Sequence, residues 1–333
     1  MNNEITENVV VTSRVRLARN FKNMPFPQKL SDKNAVSLIV GAADKAADFP
    51  HSTVLMSELD NIERQALVER HLVSPDLIKR NLGALILSDD ESISVMINEE
   101  DHIRAQCIKN GFALQECYRT IDRYDDRLAQ TMPIAYDSEF GYLTACLTNV
   151  GTGMRASVMV FLPAMTFSDM INNFILIARE KGIVVRGVYG ERSNPKGCLY
   201  QLSNARSTGA SEQTLIEQVE KAVLELCASE QGLRRQLYTT GKDDLTDKVY
   251  RAYGILTNAR KLSSNEFMEL VAFLKLGMAM NIIGFKDIET LNKLIIDAQP
   301  ANLLKIARKN KLTAAERDIV RAALVRKTLA DLK

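Results

Sequence analysis

The chain contains few of the residues from which metal centres and disulfide frameworks are built. Among its 333 residues there are three histidines and no tryptophan. Its five cysteines are odd in number and form no CxxC pair; they are Cys107, Cys117, Cys146, Cys198 and Cys227. Such spacing is typical of reduced thiols and argues against a disulfide framework or a zinc site. With so few histidines a histidine-based metal site is not expected either, and we predict no resident metal ion.

Long apolar runs and a strong net charge are also missing. No uninterrupted apolar stretch reaches the roughly 18 residues that a membrane span requires. The polar N-terminus, Met1 to Asn8, lacks the charged-then-apolar layout of a signal peptide. A formal net charge of only +2 gives no general reason to expect nucleic-acid or membrane binding. These absences predict a cytoplasmic protein that binds neither nucleic acid nor a membrane.

The phosphate-binding signatures of common kinases are absent as well, namely the glycine-rich Walker loop with its lysine and the protein-kinase catalytic loop. Arginines in or near predicted strands stand out instead: Arg14, Arg16, Arg104, Arg155 and Arg186. A guanidinium group offers planar paired donors and stays charged at any physiological pH. Five converging guanidinium groups could therefore neutralise a nucleoside triphosphate; scattered surface arginines are the alternative.

The composition that is present, 46% hydrophobic and 25% charged residues, is typical of a globular protein. The length allows one large and one small domain. Strand and helix patterns alternate up to about Gly241, and from Asp244 to Lys333 only helical patterns occur. We therefore place a boundary near Thr239–Lys242. We predict an α+β domain over residues 9–238 and an all-α domain over residues 242–333.

Hydrophobic periodicity and capping signals predict the individual elements. The predicted strands are Val9–Val11 with a continuation to Arg19, Ala84–Ser88, Ile93–Ile97, Ala156–Leu162, Ile183–Val188 and Cys198–Leu202. The predicted helices are Ser31–Asp48 with Ser31 as N-cap, Ser57–Leu72, Leu114–Thr131, Phe167–Lys181 closed by Gly182, and a long helix from Ser211. Residues 137–142 are predicted to be a loop, and Tyr189–Gly197 a mobile loop of the kind that covers active sites.

The stretch Ser94–Arg104 joins a buried-type strand to a group of charged residues. After Asn98 come three acids, then a histidine and an arginine, in the order Glu99, Glu100, Asp101, His102 and Arg104. A strand that ends in carboxylates next to a cation can place a general base beside an anion site. The alternative is a strand that runs into a solvated acidic turn.

Three separated motifs, in this order, resemble the catalytic domain of the ATP:guanidino phosphotransferases, the phosphagen kinase family. They are Asn98–Arg104, Cys146–Val158 and Arg186–Glu191. Within the family the chain is most similar to the bacterial protein arginine kinases, over about Val9 to Tyr238 and in the C-terminal helices. The resemblance implies a glutamine-synthetase/guanido kinase-like fold, with an antiparallel β-sheet flanked by helices. It also implies transfer of the γ-phosphate of ATP, with Mg²⁺, to arginine side chains of client proteins.

The resemblance also implies roles for individual residues. Glu100 resembles the catalytic carboxylate, Glu191 a second one on the mobile loop, and Cys146 the active-site cysteine beside the substrate guanidinium. The implied nucleotide contacts are Ser13, Arg14, Val15, Arg16, Leu17, His71, Arg104, Arg155, Ala156, Ser157, Val158, Met159, Arg186, Gly187, Val188, Tyr189, Gly190 and Glu191. Arg317, Asp318 and Arg321 are similar to an RDxxRA element that binds phosphoarginine for allosteric control.

The residues themselves leave plainer alternatives open. His71, at the end of a predicted helix, could be a partner of the helix dipole. Cys146 could be a small buried apolar residue, as free cysteines often are. Arg317, Asp318 and Arg321 could form an exposed charged helix face.

Four positions depart from the family pattern. Leu147 stands where proline is usual, Phe161 where protein arginine kinases often have histidine, and Asn194 where many relatives have a loop glutamate. Tyr189 replaces a phosphate-binding arginine of the small-molecule arginine kinases. Asn194 leaves Glu191 as the only acid on this loop, so Asn194 and Leu147 bear on the level of activity.

Two other functions compete with a protein arginine kinase. One is a non-catalytic or weakly active phosphoarginine-binding regulator, and the other is a small-molecule guanidino kinase. Kinases of small guanidino compounds carry a helical domain ahead of the catalytic one, for which Arg14 leaves no room. We therefore expect protein substrates with exposed arginines. The resemblance further implies a homodimer, a zinc-finger activator protein and a Clp-type unfoldase that degrades marked clients.

Overall fold

The computed structural model describes residues 2–188, 195–285 and 287–332. Its strands are β1 Val10–Arg19, β2 His51–Leu55, β3 Ala84–Ser88, β4 Ile93–Ile97, β5 Ile103–Asn110, β6 Tyr136–Asp137, β7 Gly141–Tyr142, β8 Met154–Phe161, β9 Ile183–Gly187 and β10 Leu199–Asn204. Its α-helices are α1 Asn2–Thr6, α2 Lys33–Ala46, α3 Asn61–Glu69, α4 Leu114–Thr131, α5 Pro163–Phe167, α6 Ile171–Glu180, α7 Glu212–Asn258, α8 Ser264–Ala279, α9 Ile288–Asp297, α10 Pro300–Ala307 and α11 Ala314–Asp331.

Eight strands form one sheet in the order β2-β3-β4-β5-β1-β8-β10-β9, and every neighbouring pair is antiparallel. β1 lies in the middle, between β5 and β8. Because side chains alternate along a strand, Val15 and Leu17 point to one face of the sheet and Arg14 and Arg16 to the other. The sheet flanked by helices confirms the predicted α+β class.

The two faces of the sheet have different partners. The apolar face carries Val15, Leu17, Ala105 and Val158, and it packs against α2, α4 and the first part of α7 in the main core. The opposite face carries the arginines. At one end of β8 and β10 this polar face is covered by the C-terminal helices, which share a second core with Phe161 and Leu199. The C-terminal helices therefore lie on the same face of the sheet as the arginines.

Helix α7 continues through the predicted domain boundary. It bends at Gly241, where φ is −148° and ψ is 43°. Residues before the bend, such as Val219 and Leu226, belong to the main core, and residues after it, such as Val249 and Leu256, belong to the second core. All described elements from α8 onward are helical, as predicted, whereas the boundary itself stays a prediction.

Several local predictions were wrong. The N-cap of α2 is Asp32, not Ser31, because the Asp32 carboxylate accepts a hydrogen bond from the backbone N–H of Asn34. The predicted helix Ser57–Leu72 is a short 3₁₀ turn followed by α3, which Asp60 caps. The predicted helix Phe167–Lys181 is divided into α5 and α6, with Asp169 between them at φ 54°.

The loop predicted at residues 137–142 contains a small hairpin formed by β6 and β7. The predicted mobile loop lies mostly outside the described residues, and so do Tyr189, Gly190, Glu191 and Asn194. Among the described residues, no helix combines the length and the apolarity that crossing a membrane demands.

Candidate active site

The structure brings the five arginines to one face of the sheet. Arg16 on β1 lies opposite Arg155 on β8, and Arg14 lies opposite Ser157. Arg104 on β5 is two residues from Gln106, which pairs with Arg16, and so it has the same orientation. Arg186 on β9 lies opposite Gln201 on β10. The side chain of Gln201 accepts a hydrogen bond from Arg14 at 3.0 Å. We call this group of five arginines the arginine row.

These guanidinium groups repel one another. Burial, followed by the charges of Arg104 and Arg155, lowers the pKa of Arg14 to about 10. Burial and the same kind of repulsion hold the pKa of Arg16 well below its ordinary value, and burial and Arg186 lower the pKa of Arg155. Among the described residues, Nε of Arg16 and Nε of Arg155 are buried donors without an acceptor. Buried donors are normally paired, and phosphate oxygens are acceptors that would pair these two.

Polar side chains on neighbouring strands hold the arginines in place. Arg155 donates to Ser203 Oγ at 2.8 Å, and Arg14 donates weakly to Ser157 Oγ at 3.4 Å. Sequence reasoning missed Ser203 and Gln201. The signal that could have revealed them is the alternation along β10, which places both on the arginine face once the register with β8 is known.

The three acids of the turn after β4 have three different environments. Glu99 is 1% exposed and forms an ion pair with Arg104, in which Arg104 Nη1 and Glu99 Oε1 are 2.8 Å apart. Burial would raise the pKa of Glu99, but Arg104 and a hydrogen bond from Ser74 outweigh it and the pKa is lowered. Asp101 is also buried and accepts hydrogen bonds from Asn20 and from the backbone of Ala145, both at 2.7 Å. The turn is therefore not a solvated acidic turn.

Glu100 is the acid of this turn that keeps an accessible carboxylate. Burial, together with the charges of Asp101 and Glu99, raises the pKa of Glu100, and the charge of Arg104 and a hydrogen bond with Cys146 oppose the increase. A raised pKa makes a carboxylate a stronger base. Glu100 and Arg104 lie at the same end of the arginine row, so a base and an anion-binding cation are neighbours.

Cys146 lies on the loop that follows β7. The bond from Ala145 N–H to Asp101 holds this loop against the acidic turn, and Cys146 Sγ lies 3.0 Å from Thr148 Oγ1. The thiol is partly accessible, unlike the other four, which are buried. The buried apolar alternative therefore does not describe Cys146. Leu147, which stands at the usual proline position, is 84% exposed.

A large cleft opens at the other end of the row, beside Arg14. Its volume is about 1080 Å³, and its sides include Thr12, Asn110 and Met159 from the sheet. His71 also lines it, at φ 61° just after the C-cap of α3. Burial, and next the charge of Arg14, lower the pKa of His71 to about 4, so the imidazole is neutral near pH 7. A neutral ring is not a charged partner of the helix dipole.

Other residues assigned by the resemblance lie elsewhere or have other partners. Ser157 and Met159 lie on the arginine face, and Val188, just after β9, lines the cleft with them. Gly187, at the end of β9, pairs with Tyr200, whose side chain belongs to the main core. Four other residues assigned by the resemblance do not place their side chains on the arginine face. Their side chains point into the main core; they are Val15, Leu17, Ala156 and Val158. The hydroxyl of Ser13 is also buried there, where it donates to Gly111 O and accepts from Ala113 N–H.

The predicted phosphoarginine element lies on α11. Arg321 is 2% exposed and donates hydrogen bonds to the carbonyls of Ala298 and Leu262 and to the carboxylate of Asp318. Arg317 donates to the carbonyl of Leu312 at 3.0 Å. Arg321 therefore ties α11 to the ends of two other segments. An exposed charged face describes Arg317 and Asp318 better than it describes Arg321.

Comparisons with known proteins identify the family of this chain. Residues 35–233 match the family described as ATP:guanido phosphotransferase, C-terminal catalytic domain, and residues 242–333 match the protein-arginine kinase McsB C-terminal domain. The protein-arginine kinase of Caldanaerobacter subterraneus is 41% identical over 96% of each chain. That of Bacillus subtilis is 40% identical over 96% of this chain and 90% of its own.

Solved structures show the same fold at lower sequence identity. A lombricine kinase superposes with a TM-score of 0.61 at 22% identity, over 69% of this chain and 68% of its own. A duplicated taurocyamine kinase from Schistosoma mansoni has a TM-score of 0.63 at 24% identity, over 80% of this chain and 39% of its own. With the two matched families covering most of its length, the chain belongs to the ATP:guanido phosphotransferases, and within them to the protein-arginine kinases.

Proposed function

We propose that this chain transfers the γ-phosphoryl group of ATP to arginine side chains of proteins. The observation that carries the proposal is the order of groups along the central strands. The cleft beside Arg14 comes first, the repelling pair Arg16 and Arg155 comes next, and Arg104 with Glu100 comes last. This order suits a nucleoside, its phosphates and an acceptor held by a carboxylate.

The arginine face carries donors that suit the phosphates of a nucleotide. The two unpaired guanidinium nitrogens, Arg16 Nε and Arg155 Nε, are donors that phosphate oxygens satisfy. Within the described residues no cluster of three or more His, Cys, Asp or Glu could hold a metal. Mg²⁺ is commonly held by one or two carboxylates together with substrate phosphates, and it neutralises charge that develops during transfer.

The chemistry requires a base and alignment. A guanidine nitrogen attacks the γ-phosphorus, the bond from the γ-phosphorus to the β–γ bridging oxygen breaks, and ADP leaves with the electron pair. Glu100 is placed to orient the guanidinium with both oxygens and to accept its proton as the N–P bond forms. The arginine row supplies positive charge at the phosphates through the loose transition state.

The site also suits a protein substrate. Glu100 and Cys146 are partly accessible, and the residues around them include exposed apolar side chains. Leu147 follows Cys146, and Phe140, on the hairpin that leads into this loop, is 56% exposed. Exposed apolar groups beside a functional site are typical of surfaces that contact another protein.

The test replaces Glu100 by glutamine, which keeps the shape and removes the base. We expect kcat to fall by roughly 10²–10⁴-fold while the dissociation constant for ATP changes less than about twofold. Glu180→Gln, on an exposed side chain at the end of α6, is the matched control. Phosphoryl transfer is measured as acid-labile phosphate, with binding by calorimetry. Equal transfer by the wild type and Glu100→Gln would make the catalytic assignment wrong.

The same assay separates protein from small-molecule substrates. A folded client with exposed arginines, its arginine-to-lysine version and free arginine are offered in parallel. We expect label on the first protein alone. Label on free arginine without label on the client would contradict the protein-substrate part of the proposal.

The resemblance supports further proposals about regulation. These are a homodimer, a cytoplasmic location, a zinc-finger activator, a Clp-type unfoldase for marked clients, and phosphoarginine binding at Arg317, Asp318 and Arg321. Arg317 and Asp318 are partly exposed and open to a ligand, whereas Arg321 would have to exchange at least one of its three acceptors for the phosphate.

A further inference from the structure

The cleft beside Arg14 has sides from two distant parts of the chain. One side is the polar face of the sheet, with Thr12, Ser157 and Gln201. The other is α9 in the C-terminal helices, with Thr290, Asn292 and Ile296. The nucleotide contacts that the resemblance implies all lie before residue 192, so these side chains of α9 have no role in them.

Helix α9 is fixed over the cleft by contacts on its apolar side. Leu291, Leu294 and Ile295 belong to the second core together with Phe161 and Leu199 of the sheet. The helix that follows is held as well, because the Glu69 carboxylate at the end of α3 accepts the backbone N–H groups of the first turn of α10. These bonds run from Ala301 at 2.9 and 3.0 Å and from Asn302 at 3.0 Å. The cleft is therefore built by the docking of the C-terminal helices.

Asn292 presents its amide to this cleft in one orientation. Its Oδ1 accepts a hydrogen bond from Lys275 Nζ at 2.6 Å. Lys275 is buried, with its Nζ atom 4.4 Å from the ring centroid of Phe161. Burial, and next the charge of Arg234, lower the pKa of Lys275 to about 7. Since Lys275 Nζ donates to Asn292 Oδ1 in the structure, the amide nitrogen of Asn292 faces away from Lys275. Within the described residues that nitrogen donates no hydrogen bond, and it is accessible.

We propose that the nucleoside half of ATP lies between the sheet and α9, and that Asn292 Nδ2 donates a hydrogen bond to it. This inference rests on the proposed function. The cleft begins where the arginine row ends, and Thr12 and Arg16 are four residues, or roughly 13 Å, apart along β1. One extended nucleoside triphosphate spans that distance. The C-terminal helices thus complete the nucleotide site instead of lying beside it.

The first test exchanges the donor for an acceptor with Asn292→Asp. The new carboxylate keeps the size of the side chain and still accepts from Lys275, so the fold is retained. We expect the dissociation constant for ATP to rise about tenfold and that for inorganic tripolyphosphate to stay within about twofold. Asn281→Asp, exposed in the C-terminal helices and outside the cleft, carries the same charge change and should bind both like the wild type.

A second test does not depend on affinity. Since the chain has no tryptophan, Lys293→Trp on the cleft side of α9 gives a single tryptophan whose emission can be excited apart from the tyrosines, and Lys311→Trp on an exposed segment is its control. ATP should change the emission of the Lys293→Trp variant and not that of Lys311→Trp, and tripolyphosphate should change neither. A wild type that does not bind ATP would overturn the proposed function itself. ATP binding with unchanged emission from Lys293→Trp and an unaffected Asn292→Asp variant would overturn this inference alone.

Discussion

At the scale of single residues, the fold holds the side chains of the arginine row close together although their charges repel one another. Arg14, Arg16 and Arg155 each have a lowered pKa, caused first by burial and then by the neighbouring guanidinium groups. Guanidinium groups held in this way destabilise the folded protein when no ligand is bound, and they favour the binding of an anionic ligand. A bound polyanion offsets the repulsion and accepts hydrogen bonds from the unpaired donors. Because the arginines are already in place, the surface needs no rearrangement to bind it.

A substitution of Arg16 by methionine separates these two effects. We expect the unfolding free energy without ligand to rise by about 1–3 kcal/mol, because an apolar side chain replaces a buried, repelled cation. The dissociation constant for ATP should rise by roughly 10–100-fold, because one charge-assisted contact is lost. Urea unfolding and calorimetry measure the two quantities. Arg119→Met, on an exposed part of α4, is the control and should change neither. A variant that is less stable and still binds ATP normally would contradict this account.

The three adjacent acids show where residue-level prediction stops. The position of carboxylates beside a cation could be predicted from the pattern of strand and charges. Which acid faces the site could not, because Glu99 is taken up by Arg104 and Asp101 by Asn20 and Ala145. These partners come from other elements. The assignment of Glu100 as the catalytic acid therefore came from the resemblance, and only the fold showed that Glu100 is the acid left accessible.

At the scale of elements, alternation and periodicity predicted the strands that carry the site. β1, β4, β8 and α4 lie close to the predicted positions, because their apolar residues repeat with the period of the element. The failures lie where a local cap or turn overrides the period. Asp60 caps α3 inside the predicted helix Ser57–Leu72, and Asp169 separates α5 from α6. Where such a helix begins or ends depends on one side chain or one backbone angle.

Packing between α7 and α8 gives a prediction at this scale. A methyl group on Gly277 of α8 would overlap the side chain of Val249 on α7. We therefore expect Gly277→Ala to destabilise the protein by about 1–3 kcal/mol in thermal or urea unfolding. Gly254 on α7 has open space around it, so Gly254→Ala should be neutral or stabilise by about 0.5–1 kcal/mol through helix propensity. Equal effects of the two substitutions would mean that the helices are not in close contact at Gly277.

At the scale of the whole molecule, the C-terminal helices dock on the same face of the sheet as the arginines. Phe161 illustrates the consequence of one sequence departure. The resemblance implies histidine at this position, and here the Phe161 ring is buried with Lys275 Nζ 4.4 Å from its centroid. The residue therefore contributes to the contact between sheet and C-terminal helices, on the side that forms the cleft.

Glu69 gives the corresponding prediction for the docking contact. In Glu69→Gln the side chain loses the charge that stabilises the first turn of α10, and one of its oxygens becomes a donor. We expect hydrogen exchange of the Ala301 and Asn302 amides to speed up roughly tenfold, or about 1.4 kcal/mol of local opening. Glu269→Gln, on an exposed side chain of α8, should leave these amides unchanged. Unaltered exchange in Glu69→Gln would show that other contacts hold α10.

The sequence by itself determined the fold class, the strands that carry arginine and the change to an all-helical C-terminal region, because these depend on local periodicity and composition. Only the tertiary structure decided which side chains share a face, which acid stays accessible and which helix covers the cleft. The physical reason is that register, burial and ion pairing join residues that are far apart in the chain. Arg14 and Gln201 are 187 residues apart in sequence and one hydrogen bond apart in space.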